Sequence, residues 1–488
     1  MENKTIALVR IECDRIFHPL SLLYIGGALK RAGYSVHLFN LFENETEDAM
    51  DKILMLKPLF VGFSVLTGRQ TRSSAAMSLK LKERSKSFPI VWGGVHPSTL
   101  PLECLKENFI DMICMREGEE TICEIAEALN GKKDLKDVLG LGYKDRTTGQ
   151  ACINPPRPFL RDLDGYRPDW SLLSKEDVER SVEVLPDGRR EIDFITSRGC
   201  PYNCAFCYNL LFNDRQWRKH SPEFVVKEVA FLKGKFNIGA VVFQDDHFFV
   251  EKARALHILG ELKKIDIIST SCMVRLERID EELLGKILEL GVRRIFIGWE
   301  SGSDRILELI NKGITRDMIT EKFKIIAKFP GLGVTGASII GFPTQTPEEV
   351  SETIKTGMWL ADLIPNIVIT YQTYIPFPGS HLYELAKENG FRPPDNIFDY
   401  GKFDTFTGEM PITWLPWATA KTRREFYIID KYGKLLTHSK SSTAIRTVAK
   451  KLFYRLAKFR LRRRFFAFPF EIAIMFRFNR YFNPKCPI

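Results

Sequence analysis

Strand and helix patterns alternate through the first 130 residues, and this alternation constrains the fold more than any other feature of the 488-residue chain. Residues 5–11, 36–41, 59–63, 90–92 and 109–115 are short apolar runs of the kind that form buried strands. Helical spacing lies between them, at 20–32, 47–56, 72–84 and 118–129, with Gly33 where a helix C-cap is expected. Apolar strands joined through helices build a parallel sheet covered on both faces, which predicts a doubly wound, flavodoxin-like α/β domain over residues 1–150. Ligands of such sheets bind beyond the carboxyl ends of the strands. Here those ends carry the polar, glycine-containing loops 64–70, 93–98 and 116–120.

Pro155, Pro156, Pro158 and Pro168 mark an extended linker, placed at 151–190. A second strand–helix series follows over 191–400, with strands near 192–196, 240–244, 267–273, 294–297, 334–340 and 367–374. Ser221-Pro222, Asp280 before a helix that ends at Gly291, and Thr346 with Glu349 supply helix starts. Six such strands predict a full or partial β/α barrel. Residues 401–488 read as a helical extension with a basic tail.

The formal net charge is +10, but it is unevenly placed. From Ala444 onward there are twelve Lys/Arg and one acid, Glu471, a local net of +11 that leaves about −1 for the rest. A hydrophobic content of 44% is that of a folded protein, and no apolar run reaches the ~18 residues of a membrane span. The N-terminus lacks a signal peptide's apolar stretch, so the expected location is the cytoplasm. Ten cysteines there are free thiols or metal ligands rather than disulfides.

Three of them, Cys200, Cys204 and Cys207, lie within eight residues, just after a predicted barrel strand. Three thiolates on a loop opened by Gly199 and Pro201 can converge on one metal centre. A structural zinc site would need further ligands at close spacing, and none follows. An iron–sulfur cluster usually takes four thiolates, so three leave one iron open. Cys13, Cys104, Cys114, Cys123, Cys152, Cys272 and Cys486 are scattered, and the first four of these read as small core residues.

The C-x3-C-x2-C spacing, with Phe206 before the last cysteine, resembles the signature of the radical S-adenosylmethionine enzymes. The resemblance implies a barrel of that type and a 4Fe-4S cluster on Cys200, Cys204 and Cys207, whose open iron holds S-adenosylmethionine. It further implies contacts to that cofactor from Phe206, from Gln244, Asp245 and Asp246 in F-Q-D-D-H-F, and from Arg275. Glu300 and Ser301 in G-W-E-S-G and Gly341 in I-G-F-P complete the implied set. Alone, each has an ordinary reading: solvated loop acids, a surface arginine, or a helix-start acid.

The segments H-P-L-S-L-L-Y-I-G-G-A-L, V-W-G-G-V-H-P and R-E-G-E-E-T resemble the cobalamin-binding domain fused ahead of many of these enzymes. That likeness implies cobalamin contacts from Ser64, Gly93, Gly94, His96, Gly118 and Glu119. The D-x-H-x-x-G motif of domains that ligate cobalt through histidine is missing; Asp14-x3-His18 has the wrong spacing and no following glycine. Cobalamin is therefore expected to be held by backbone and loop contacts, with neither His18 nor His96 on cobalt. The ordinary reading is a structural module without cofactor, since glycines also serve strand-to-helix turns.

The expected function is C-methylation of an unactivated carbon in a small or lipid-like metabolite, as in the methyltransferase-like branch of the family. One S-adenosylmethionine would methylate cobalamin and a second would supply the radical, with electrons from a flavodoxin- or ferredoxin-type donor. Radical cyclisation or ring rearrangement is the alternative. An RNA methylthiotransferase is disfavoured because the N-terminal cysteines do not match its second-cluster pattern.

Val448, Leu452, Leu456 and Phe459 recur at helical spacing, with Lys450, Lys451, Arg455, Lys458 and Arg462 largely elsewhere, followed by an aromatic stretch over 465–482. Three readings stand: a membrane-surface helix, a helix packed on the barrel, and a nucleic-acid contact, the last least expected of a near-neutral body.

Overall fold

A computed structural model describes residues 2–13, 16–145, 147–403, 412–436, 444–472 and 474. Asp14, Cys486 and the aromatic residues from Phe476 onward lie outside the described residues, as does the side chain of Lys450.

The first sheet is built from β1 (Thr5–Glu12), β2 (Ser35–Phe42), β3 (Phe60–Ser64), β4 (Ile90–Gly93) and β5 (Met112–Cys114), all parallel, in the order β2-β1-β3-β4-β5. This is the doubly wound arrangement expected from the alternation. Its two faces carry separate cores, one around Val9, Phe63, Ile90 and Trp92, the other around Leu8, Leu22, Val91 and Ile125. The order reverses between β1 and β3, so a crevice opens beyond their carboxyl ends. Two short antiparallel strands that the pattern does not predict, β6 (Leu141–Lys144) and β7 (Ala151–Ile153), extend the sheet past β5.

The proline-rich segment that follows is extended, but it is a strap tied down along its length. Arg157 pairs with Glu120 and Glu124, the Leu160 amide donates to Glu117, and Asp164 accepts from the Ser221 amide. Trp170 is buried at its end.

The second sheet runs β8 (Glu183–Val184), β9 (Arg190–Phe194), then β12 (Ala240–Phe243), β13 (Ile268–Met273), β14 (Arg294–Glu300), β15 (Gly333–Ile340) and β16 (Ile367–Thr373). Between them, β10 (Ser197–Arg198) and β11 (Arg218–Lys219) form a small antiparallel ribbon. From β9 to β16 every neighbour is parallel and in sequence order, with β8 antiparallel at the edge. Of the two expected forms, the sheet is therefore the partial barrel. The helix starts are those read from the sequence: Ser221 Oγ accepts from Phe224 N, Asp280 from Leu283 N, and Thr346 and Glu349 form a reciprocal capping box.

The last strand is covered by the Ala420–Leu435 helix. Tyr371 on β16 is fully buried between two glycines. A Cβ on Gly357 would lie 2.0 Å from its hydroxyl, and one on Gly433 2.6 Å from its ring. Overpacking of this kind costs about 1–3 kcal/mol. Gly357→Val is expected to lower the midpoint of denaturant unfolding correspondingly, and adding Tyr371→Leu is expected to restore part of the loss.

Candidate active site

The cysteine loop begins where β9 ends. Ser197–Arg198 pairs with Arg218–Lys219, closing residues 199–217 into a loop whose neck is a two-strand ribbon. Gly199 has φ +79°, and a Cβ there would meet the Gln216 carbonyl at 2.1 Å, so only glycine fits the neck. The loop is also stitched to the barrel. The Ala205 amide donates to the Ile310 carbonyl at 2.8 Å, the Ala205 carbonyl accepts from the Leu382 amide at 3.0 Å, and Asn311 Nδ2 donates to the Asn203 carbonyl.

Cys204 is buried; Cys200 and Cys207 are half-buried, and the three side chains do not by themselves close on a metal-ion position. Burial raises the Cys200 thiol and pushes Cys207 up to about 12. Such thiols ionise only when a cationic centre replaces the proton, which is the donor chemistry a 4Fe-4S cluster requires. Arg275 supplies positive charge beside them. Its Nη1 donates to Cys204 Sγ at 3.3 Å, its Nη2 to the Lys312 carbonyl at 2.6 Å, and it stacks 3.7 Å over Tyr202. The guanidinium thus faces the cysteine loop.

Around the loop, the expected residues take distinct positions. Gln244 is exposed at the end of β12, and its Nε2 donates to Asp193 at 2.6 Å. Asp245 is buried and saturated: it accepts from the Thr196 amide and from the Thr196 and Ser197 hydroxyls, tying β12 to the end of β9. Asp246 accepts from the Gly199 amide and the Tyr208 hydroxyl. Burial raises the pKa of both aspartates above the ordinary carboxylate value. Phe206 packs 6.2 Å from Phe342.

Glu300 ends β14 with φ +58° and pairs with Lys312 at 2.7 Å, both buried. Burial works against the Lys312 charge, yet Glu300 keeps its pKa above the ordinary value. The glycines of G-W-E-S-G are steric necessities: a Cβ on Gly298 would lie 2.2 Å from Glu300 Oε1, and one on Gly302 2.6 Å from the Glu352 carbonyl. Ser301 is buried and shares Thr353 with the Gly302 amide. Gly341, at φ +85°, accepts from Trp417 Nε1 and donates to Gln345.

A cavity of about 280 Å³ lies between the two sheets. Gly62, Ser64, Gly93, Gly94 and Gly118 line it from the ends of β3, β4 and β5; Arg198, Gly199, Gln244 and Asp246 line it from the barrel. It therefore opens at the switch point of the first sheet and beside the cysteine loop. A run of strand ends with almost no side chain suits a flat, bulky cofactor lying on backbone. Gly94 has φ +98° and would bring a Cβ within 2.8 Å of the Val65 carbonyl; Gly118 would press on Ile25 at 2.6 Å.

His96 is not among the lining residues. It is fully buried, bonded through Nδ1 to Thr67 and edge-on to Tyr400, and burial pushes its pKa down to about 3. His18 is also buried and bonded to Asp193 at 3.0 Å. Cys104 and Cys114 sit in the two different cores of the first sheet.

Sequence reading assigned no role to Arg198, Glu117 and Arg218, which join the two halves of the site. Arg198 donates to Glu117 at 3.1 Å and to Glu119 at 2.6 Å, Arg218 donates to Glu117 at 3.1 Å, and Arg198 lies 4.8 Å over the Tyr24 ring. Arg116 adds a bidentate pair with Asp214. Tyr24 is bonded to His220, which burial pushes down to about 4 and whose Nδ1–H donates to Asp164 of the strap at 3.0 Å. The sequence held two hints of this: Arg198 adjoins the cysteine motif, and Arg116, Glu117 and Glu119 lie in the R-E-G-E-E-T segment.

Residues 194–357 match the model of the Radical SAM superfamily, and residues 6–126 match that of the B12 binding domain. An uncharacterised methyltransferase of Pyrococcus horikoshii is 33% identical over 390 residues, covering 79% of this chain and 82% of that protein. The anaerobic magnesium-protoporphyrin IX monomethyl ester cyclase of Rubrivivax gelatinosus is 27% identical over 403 residues, covering 80% and 69%. In fold, the chain is similar to the radical S-adenosylmethionine methyltransferase TsrM from Kitasatospora setae, solved with cobalamin and a [4Fe-4S] cluster. The TM-score is 0.65 at 15% identity, with 93% of this chain and 99% of that one covered.

Two measurements test this geometry. Ser64→Phe fills the cavity floor and is expected to lower bound cobalt several-fold while the iron count stays near that of the parent, both read by elemental analysis of the reconstituted protein. Separately, His96 and His220 are neutral when folded but take up a proton at about 6.5 when unfolded. The unfolded state then binds more protons below that value, so stability falls as pH drops from about 6.5 toward 4, by up to ~1.4 kcal/mol per pH unit for each histidine. His96→Gln should flatten the slope of unfolding free energy against pH across that window.

Proposed function

Since the chain belongs to the radical S-adenosylmethionine enzymes that carry an N-terminal cobalamin-binding domain, we propose that it transfers a methyl group to an unactivated carbon of a small or lipid-like metabolite. The observation that carries this reading is the shared cavity: the side-chain-poor strand ends of the first sheet and the cysteine loop of the second line the same space. Cys200, Cys204 and Cys207 would hold a cluster able to supply the electron that cleaves S-adenosylmethionine, and the glycine-lined strand ends would hold cobalamin as a methyl carrier.

The protein's own residues bind, orient and exclude water. Glu300 with Lys312, Ser301, and the turn at Gly341 offer polar groups along the strand ends for S-adenosylmethionine, and Gln244 and Asp246 line the shared cavity on the barrel side. Asp245, saturated by Thr196 and Ser197, acts in this reading by positioning its neighbours. Leu20, Ile25, Phe63, Ile195 and Phe212 give the cavity apolar walls suited to a carbon-rich substrate. A reduced flavodoxin or ferredoxin is the fitting electron donor.

Radical cyclisation is the second reading, favoured by the similarity to a protein named as a cyclase over nearly the same span. One assay separates them. Methyl transfer yields S-adenosylhomocysteine and 5′-deoxyadenosine in equal amounts with a methylated product, whereas cyclisation yields 5′-deoxyadenosine without S-adenosylhomocysteine. Replacing any of the three clustered cysteines with alanine is expected to abolish 5′-deoxyadenosine formation, read by liquid chromatography and mass spectrometry; persistence of that product would sink the cluster assignment.

A further inference from the structure

Among its described side chains, the Ala444–Arg463 helix is docked on the barrel through one face. Tyr454, Ala457, Arg460 and Leu461 are buried. Tyr454 donates to Asp362, Lys458 pairs with the same carboxylate, and Arg464 after the helix pairs with Glu425. These contacts fix the rotation of the helix. Of the apolar stripe read from the sequence, Leu456 is half-buried, and the other three point the other way: Val448 and Leu452 are 67% and 64% exposed and Phe459 is 54% exposed. At 100° per residue, these three lie within about 40° of one another on the outward face, with Lys451, Arg455 and Arg462 on one flank and Arg463 on the other. The helix contains no acidic residue.

The segment after the helix is built to the same end. Arg460 is buried and pairs with buried Glu471, which also accepts from Tyr432. From beneath, the same guanidinium donates to the carbonyls of Phe465, Ala467 and Phe468. It holds Phe468 at φ +50°, a conformation that a bulky residue adopts only when its surroundings impose it. That residue is 85% exposed, and Phe465 and Phe470 project beside it. A buried ion pair therefore supports a loop whose aromatic side chains face outward.

We propose that this face, formed by the outer stripe of the helix and the Phe465–Phe470 loop, seats the protein on the surface of an anionic lipid bilayer. Aliphatic and aromatic side chains at the centre with cations on the flanks fit a headgroup boundary, where the apolar groups enter and the cations meet lipid phosphates. Nucleic acid fits less well, because Val448 and Leu452 occupy the centre where bases would need aromatic or cationic partners. A second copy of the chain would bring like charge against like charge.

The test is flotation of the full-length reconstituted enzyme with vesicles of phosphatidylcholine alone or mixed with phosphatidylglycerol. The expected result is binding to the mixed vesicles that weakens at high salt, with little binding to phosphatidylcholine alone. Leu452→Gln with Phe468→Ser should weaken binding at least tenfold without changing the thermal unfolding midpoint, since both side chains are exposed. Arg455→Gln with Arg462→Gln should remove the preference for anionic lipid. Absence of flotation, or flotation unaffected by these variants, overturns the proposal. So does a single-stranded oligonucleotide shift or concentration-dependent dimerisation in a protein that ignores vesicles.

Discussion

The contact between Arg198 and the Glu117–Glu119 pair is the interaction on which the rest of the site depends. It joins the end of the ribbon that holds the cysteine loop to the loop after β5 of the first sheet. Taking such charges out of water is costly, and a buried ion group is tolerated only when its hydrogen-bonding capacity is met. Here it is met: Glu117 also accepts from Arg218 and from the Leu160 amide, while Arg198 lies over the Tyr24 ring. The arrangement acts more as a gauge than as a glue. It sets how far the glycine-lined strand ends stand from the cysteine loop.

Much of the architecture was legible in the sequence because local pattern and tertiary role agree. The five β-rich runs of the first 115 residues became β1 to β5, and the six later ones became the strands of the partial barrel. Capping at Ser221, Asp280 and Thr346 was readable because a cap is satisfied within three residues. β6 and β7 escaped notice because, unlike the equally short β4 and β5, they lie toward the sheet edge with exposed or half-buried positions and form no buried apolar run. The strap reads as a linker from its prolines, and nothing local records that Arg157, Leu160 and Asp164 each meet a partner far away in sequence.

The site was legible to a similar depth. Three cysteines and a handful of glycines have a spacing that can be seen in one dimension, and the steric demands at Gly199, Gly298 and Gly302 explain why those positions hold glycine. The charge pairs were not, since Arg198 and Glu117 are separated by 81 residues and neither differs in composition from a surface residue. In the tail, the stripe could be found from its spacing, but its direction could not. Only Asp362, Glu425 and Glu471, which hold the opposite face, decide that it looks outward.

Among the described residues, the second sheet stops at β16 without returning to β9, and one wall of its mouth is supplied by the first sheet. A closed barrel fixes the width of its own interior through strand number and tilt. In this chain the corresponding width is the separation of two sheets, bridged by a few side chains and a proline-rich strap. Lengthening or trimming that strap is expected to resize the cavity between the sheets while leaving the strands of both untouched. The width of that space is thus a property of the molecule's joinery, adjustable apart from its strands.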